Sequence, residues 1–181
     1  WLAATALVAF AAIFLFADFS AVGSHLAEGQ VRLEMTGALA TGIVAVIAAF
    51  HLSLPDRSSW WAAAPVPPFL LWMSGTGYNC YRHWITYGPD GWALGDSADC
   101  FRLILGASIP LGVTLLLVLR RASPLAPTRV AALGGFGVAA LSAFILQFFH
   151  PFDVTFLDLS VHLVAIGLVA GIASLSARTV R

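Results

Sequence analysis

Charged residues and cysteines are scarce in this sequence, and lysine is absent. Of its 181 residues, 10% are charged and 60% are hydrophobic, whereas soluble domains are about a quarter charged and about half apolar. Nine arginines balance nine acidic residues, so no basic face is available for phosphate contacts and we expect no direct nucleic-acid binding. Two cysteines cannot build a disulfide scaffold. These shortages exclude a soluble globule and a disordered chain, and they indicate a multi-pass protein of the lipid bilayer.

Long apolar runs follow one another along the whole chain. A helix needs about 20 mostly apolar residues to cross a bilayer, and six stretches qualify: 1–17, 36–54, 60–76, 101–119, 130–149 and 159–176. They predict an all-α membrane protein with a single transmembrane domain over residues 1–181, built as a bundle of six transmembrane helices. The first run has no basic segment before it, so it is not typical of a signal peptide. We expect a natural N-terminal segment to precede Trp1.

The arginines are distributed unevenly between the loops that this arrangement creates. Six of the nine lie on the side that holds the termini and the second and fourth loops, namely Arg57, Arg120, Arg121, Arg129, Arg178 and Arg181. Asp56 is the only acidic residue on that side. Arginine-rich loops stay in the cytoplasm. The bias therefore predicts cytoplasmic N- and C-termini and three outward-facing loops.

Four side chains suited to soft metal ions fall at the outward ends of the predicted spans. His83 follows Cys80 by three residues, which places the two side chains together on a helix. Cys100 opens the span 101–119 and His150 closes the span 130–149. If the four converge, thiolate and imidazole ligands favour zinc, cadmium or copper(I). We therefore treat Cys80, His83, Cys100 and His150 as a candidate metal site.

Other interpretations of the two cysteines stay open. A single C-x2-H spacing is common by chance, and the C-x2-C pairs of a structural zinc site are missing. An ordinary disulfide or buried pair, a redox-responsive pair and a metal-sensing site are all compatible with the pattern. In the third case, Asp99 and Asp153 could add oxygen ligands or orient the histidines.

Catalysis finds little support in the sequence. The HExxH, GxSxG and phosphate-loop motifs are absent. His51 and His162 fall near opposite ends of their spans and cannot clamp one haem. No ionisable residue is predicted at mid-membrane, which argues against a proton-coupled transporter. We expect no enzymatic activity and no resident cofactor beyond a transient heavy-metal ion, zinc or cadmium.

Three stretches together resemble a known family. They are AFHLSLPDR at 49–57, ALGDSADCFRLIL at 93–105, and LQFFHPFD at 146–153. They are similar to the NrsF family, six-span anti-sigma factors of the bacterial inner membrane. The resemblance implies that a cytoplasmic N-terminal segment holds an extracytoplasmic-function sigma factor. It also implies that heavy metals or oxidants acting on cysteines release that factor.

The resemblance also assigns roles to individual positions. Cys100 matches one family cysteine, whereas the second family cysteine precedes a proline and is replaced here by His150 before Pro151. Cys80 could substitute as the partner of Cys100, so both cysteines are candidate sensing residues. The alternative function is a structural or assembly subunit of a larger membrane complex. That role needs only small interfacial residues, such as those at Gly134, Gly135, Gly137, Gly167 and Gly171.

Overall fold

The computed structural model describes residues 26–88, 94–121, 126–149 and 156–179, with Ala11 and Gly23. For residues 94–100, 120–121 and 179 it describes the backbone alone. Within these ranges the secondary structure is entirely helical. Five α-helices and one short 3-10 helix follow one another: α1 Gly29–Leu52, the 3-10 helix Ser59–Ala63, α2 Val66–Tyr87, α3 Leu94–Arg121, α4 Pro127–Leu146 and α5 Phe156–Thr179.

Four of these helices are long and apolar enough to cross a membrane. They are α1, the segment Phe101–Leu119 of α3, α4, and the segment Phe156–Arg178 of α5. This confirms the predicted all-helical class and supports the assignment to membranes. The predicted span 1–17 lies outside the described residues, and the count of six spans and the cytoplasmic termini stay predictions.

Helix α2 begins later than the predicted span 60–76 because three prolines stand at its start. Pro65 precedes the helix, and Pro67 and Pro68 lie in its first turn. A proline in the first turn breaks no intrahelical hydrogen bond, since the N–H groups there have no partner within the helix. These prolines therefore start α2 rather than bend it, whereas Pro110 lies inside α3.

Helix α4 is the centre of the described bundle and packs against α1, α3 and α5, while α2 packs mainly against α1. Small residues allow these helices to approach closely. A Cβ atom added to Gly137 would lie 3.0 Å from the carbonyl oxygen of Gly42, and one added to Gly135 would lie 2.8 Å from the Cβ of Ala173. By contrast, a Cβ at Gly167 or Gly171 would meet nothing within 4 Å. The glycines of α4 thus lie at helix crossings, and the G-x3-G pair of α5 does not.

Trp72 anchors the contact between α1 and α2. Its side chain is 2% exposed and packs in a cluster with Ala38 and Ala139. A Cβ at Gly37 would lie 2.7 Å from the Trp72 backbone nitrogen, so the backbones of the two helices touch at this level. This close contact fixes the rotation of α2 about its axis and decides which of its later side chains face the bundle.

Candidate functional site

Cys80 lies on the buried face of α2, two turns beyond Trp72. Its side chain is 1% exposed. Thr76, one turn earlier, is also buried, and its hydroxyl donates a hydrogen bond to the Trp72 carbonyl oxygen at 3.2 Å. The predicted sensing thiol is therefore packed inside the protein rather than exposed at the end of the helix.

His83 follows one turn after Cys80 on the same helix, as the spacing predicts. Both of its ring nitrogens are buried, and neither has a hydrogen-bond partner among the residues that the structure describes. Its ring lies 4.8 Å from the ring of Tyr87, measured between centroids. A neutral imidazole whose nitrogens are not engaged in hydrogen bonds can act as a metal ligand.

The remaining predicted site residues are placed only in part. Asp99 and Cys100 lie in the early turns of α3, where the backbone alone is described, and His150 and Asp153 lie outside the described residues. Among the side chains that are described, no three His, Cys, Asp or Glu residues are grouped so that they could hold a metal ion. The four-residue metal site and its supporting aspartates stay a prediction.

A buried carboxyl group that the sequence analysis did not single out lies close to Cys80. Glu34, in the second turn of α1, is 5% exposed. Its Oε2 accepts a hydrogen bond from Asn79 Nδ2 at 3.0 Å, and its Oε1 accepts one from Gln147 Nε2 at 2.9 Å. Asn79 belongs to α2 and Gln147 directly follows α4, so one carboxyl group joins three helices. We call Glu34, Asn79 and Gln147 the carboxyl–amide triad.

The packing around Glu34 explains how the carboxyl group is accommodated. A Cβ at Gly75 would lie 3.2 Å from the Glu34 backbone nitrogen and 3.3 Å from its Cα. The missing side chain lets α2 lie directly against α1 at this level, which brings Asn79 within reach. A buried carboxyl group is destabilising unless it is hydrogen-bonded, and each carboxyl oxygen of Glu34 has an amide donor.

A second buried acid, Asp158, belongs to the same end of the bundle. It is 6% exposed in the first turn of α5, and its backbone carbonyl accepts a hydrogen bond from His162 Nδ1 at 2.7 Å. Glu34 and Asp158 are both close enough to act electrostatically on the Cys80 thiol. Cys80 therefore lies among polar groups from three helices.

In addition to the Glu34–Asn79 hydrogen bond, a solvent-exposed contact links α1 and α2. Arg82 Nη1 donates a hydrogen bond to Gln30 Oε1 at 3.3 Å and lies 3.8 Å from Glu28 Oε2. About half of each charged side chain is exposed to solvent, and such pairs contribute about 0–1 kcal/mol. The hydrogen bond from Asn79 to the buried Glu34 carboxyl group, rather than this ion pair, is the stronger polar connection between the two helices.

The fold and the site define a class: a helical membrane protein in which a buried thiol, a hydrogen-bonded carboxyl group and a second buried acid lie near one end of the bundle. The family model for NrsF, described as negative regulator of sigma F, matches residues 1–181, which is the whole chain. The chain belongs to this family, and the predicted resemblance is confirmed. Family membership implies negative regulation of a sigma factor and hence a sigma factor as partner. No curated protein and no solved structure matches the chain.

Proposed function

We propose that this protein is a membrane-anchored anti-sigma factor of the bacterial inner membrane. It sequesters an extracytoplasmic-function sigma factor on the cytoplasmic side and releases it under heavy-metal or oxidative stress. The observation that carries the proposal is the match of the NrsF family model over the whole chain. The four apolar helices support a membrane location, where a bound sigma factor is held away from RNA polymerase.

The sensing role is assigned to the outward-facing cysteines, Cys80 and Cys100. A thiolate is both the form of cysteine that reacts with oxidants and the form that ligates soft metals. His83 supports the assignment for Cys80, because it lies one turn away with both ring nitrogens unsatisfied within the described part of the chain. His150 would complete the ligand set for a transient zinc or cadmium ion, with Asp99 and Asp153 orienting the histidines.

Signal transmission requires two states of the bundle that differ in affinity for the stimulus. Metal binding or oxidation at the outward ends of the helices would shift the helices against one another. This shift would change the arrangement of their opposite ends, on the side that binds the sigma factor. The proposal assigns the protein no catalytic chemistry. The structural-subunit alternative has no observation of its own in its favour.

Co-purification from the native host tests the proposal. The epitope-tagged protein is purified in detergent from untreated cells and from cells exposed to cadmium or hydrogen peroxide, and the bound proteins are identified by mass spectrometry. We expect a sigma factor in the untreated sample and a marked loss after treatment. Cys80→Ser and Cys100→Ser variants are expected to retain the factor after treatment.

Two results would contradict the proposal at different levels. The absence of a sigma factor under every condition would overturn the anti-sigma function. If the untreated wild type binds a sigma factor and stress still releases that factor from both cysteine variants, the assignment of Cys80 and Cys100 as sensors would be overturned. A Thr86→Ser variant is a suitable matched control, because Thr86 is exposed on the same helix.

A further inference from the structure

We propose that the carboxyl–amide triad is a latch: it holds α1, α2 and α4 together over Cys80, and its opening is the step that lowers affinity for the sigma factor. The regulatory half of this inference rests on the proposed function. The structural half, that the triad controls access to Cys80, stands on the described side chains alone.

The triad joins three parts of the chain that are far apart in sequence and adds side-chain hydrogen bonds to the close packing of α1, α2 and α4. Asn79 and Gln147 are 45 and 113 residues from Glu34 in sequence, yet both donate to its carboxyl group. Loss of this group would leave two partly buried amide donors without this acceptor. A single side chain therefore contributes hydrogen bonds to contacts among three helix ends.

Cys80 is coupled to the latch by its position. It directly follows Asn79 on α2, and it is 1% exposed. Protein interiors are packed too tightly to admit additional atoms without displacement. A metal ion or an oxygen atom added to the sulfur must therefore move this turn of α2, and the Asn79 amide moves with it.

The chemistry of the triad favours two distinct arrangements over a gradual one. When Asn79 is displaced, the buried Glu34 carboxyl group loses one of its two donors in a low-dielectric environment, which is unfavourable. That carboxyl oxygen regains a partner only if the helix ends separate far enough to admit water. A small change at Cys80 is thereby converted into a separation of helices.

A second buried polar contact provides a matched control. The Ser108 hydroxyl donates to the Ser142 hydroxyl at 3.0 Å, between α3 and α4. This contact is also buried and also joins two helices, but it includes no residue of the triad. If buried polar groups act only as general adhesion between helices, its loss and the loss of Glu34 should have similar consequences.

The rate of Cys80 alkylation by N-ethylmaleimide in native membranes tests the latch, in a Cys100→Ser background. We expect Glu34→Ala to accelerate labelling by at least about tenfold, because buried hydrogen bonds are worth a factor of this order. Gln147→Leu removes one donor only and should give a smaller acceleration. Ser142→Ala should leave the rate unchanged.

In co-purification without stress, Glu34→Ala should lose the sigma factor and Ser142→Ala should keep it.

The outcomes separate the latch from the proposed function. Wild-type labelling rates in both Glu34→Ala and Gln147→Leu would overturn the latch, and so would equal acceleration by Ser142→Ala. If Glu34→Ala fails to accumulate in membranes, the Cys80 labelling rate of Gln147→Leu alone tests the latch. If the wild type carries no sigma factor, the regulatory role falls, while the labelling rates still show whether the triad covers Cys80.

Discussion

Two tryptophans show how differently one residue type is used within a single segment of this protein. Trp72 is 2% exposed and lies against the backbone of α1, whereas Trp60, in the 3-10 helix, is 81% exposed. Trp60 has the character of an interfacial anchor. The neighbouring Trp61 instead stacks on His51, with the ring centroids 3.9 Å apart.

Replacement of these tryptophans should have very different effects on stability. Trp72→Ala leaves a large cavity between α1 and α2, so we expect the free energy of unfolding to fall by about 3–5 kcal/mol. Trp60→Ala removes an exposed side chain and should change it by less than about 0.5 kcal/mol. Circular dichroism, recorded while the concentration of a denaturing detergent is raised, measures both changes in the free energy of unfolding. Equal losses would contradict the burial described for Trp72.

The sequence could predict Cys80 and His83 as neighbours, because a spacing of three residues is a local property of a helix. It could not predict the triad. Glu34 stands two residues before the predicted span 36–54 and has the appearance of an interfacial residue. Its partners are identified only by the way α1, α2 and α4 pack, and a single amide in a sequence carries no sign of such a contact.

At the scale of the helices, apolar length predicted the elements well and their ends poorly. Helix α1 starts at Gly29 rather than at residue 36, because the charged side chains of Arg32 and Glu34 interrupt the apolar run without ending the helix. For α2, the three prolines decide where the helix begins. Hydropathy reports which residues tolerate lipid, whereas helix ends depend on backbone hydrogen bonds.

The glycines of α4 and α5 lead to a prediction about helix crossings. Gly135→Ala would place a methyl group 2.8 Å from the Cβ of Ala173 and 3.0 Å from the Cα of Ala170, which should destabilise the protein by about 1–3 kcal/mol. Gly171→Ala meets no atom within 4 Å and should be neutral, or stabilising by up to about 1 kcal/mol. Thermal unfolding midpoints of the two variants in detergent compare them directly. A lower midpoint for Gly171→Ala than for Gly135→Ala would contradict the packing of α4 on α5.

At the scale of the whole molecule, the triad lies near one end of the bundle, and the predicted topology assigns most of the arginines to the other. The triad, Cys80 and Asp158 share the end at which α2 finishes and α5 begins. The predicted cytoplasmic end carries six of the nine arginines. The proposed sensing side and the proposed partner-binding side would then be opposite ends of the bundle, and the orientation of α2 in the membrane tests this arrangement.

Helix α2 has 22 residues, or about 33 Å at 1.5 Å per residue, which is long enough to cross a bilayer despite its polar second half. If it crosses, Ser59 and Thr86 face opposite sides of the membrane. In a background without native cysteines, Thr86→Cys should react with a membrane-impermeant maleimide in intact spheroplasts. Ser59→Cys should react only after permeabilisation. Labelling of both sites, or of Ser59→Cys alone, would contradict the proposed topology.

Transcript levels in the native host show whether the protein, held in the membrane, restrains a sigma factor. The gene is deleted, and RNA is sequenced from unstressed cells of the wild type, the deletion strain and the complemented strain. We expect one set of sigma-dependent transcripts to rise severalfold without stress in the deletion strain and to return to wild-type levels on complementation. Transcript levels that are the same in all three strains, or that fall on deletion, would contradict it.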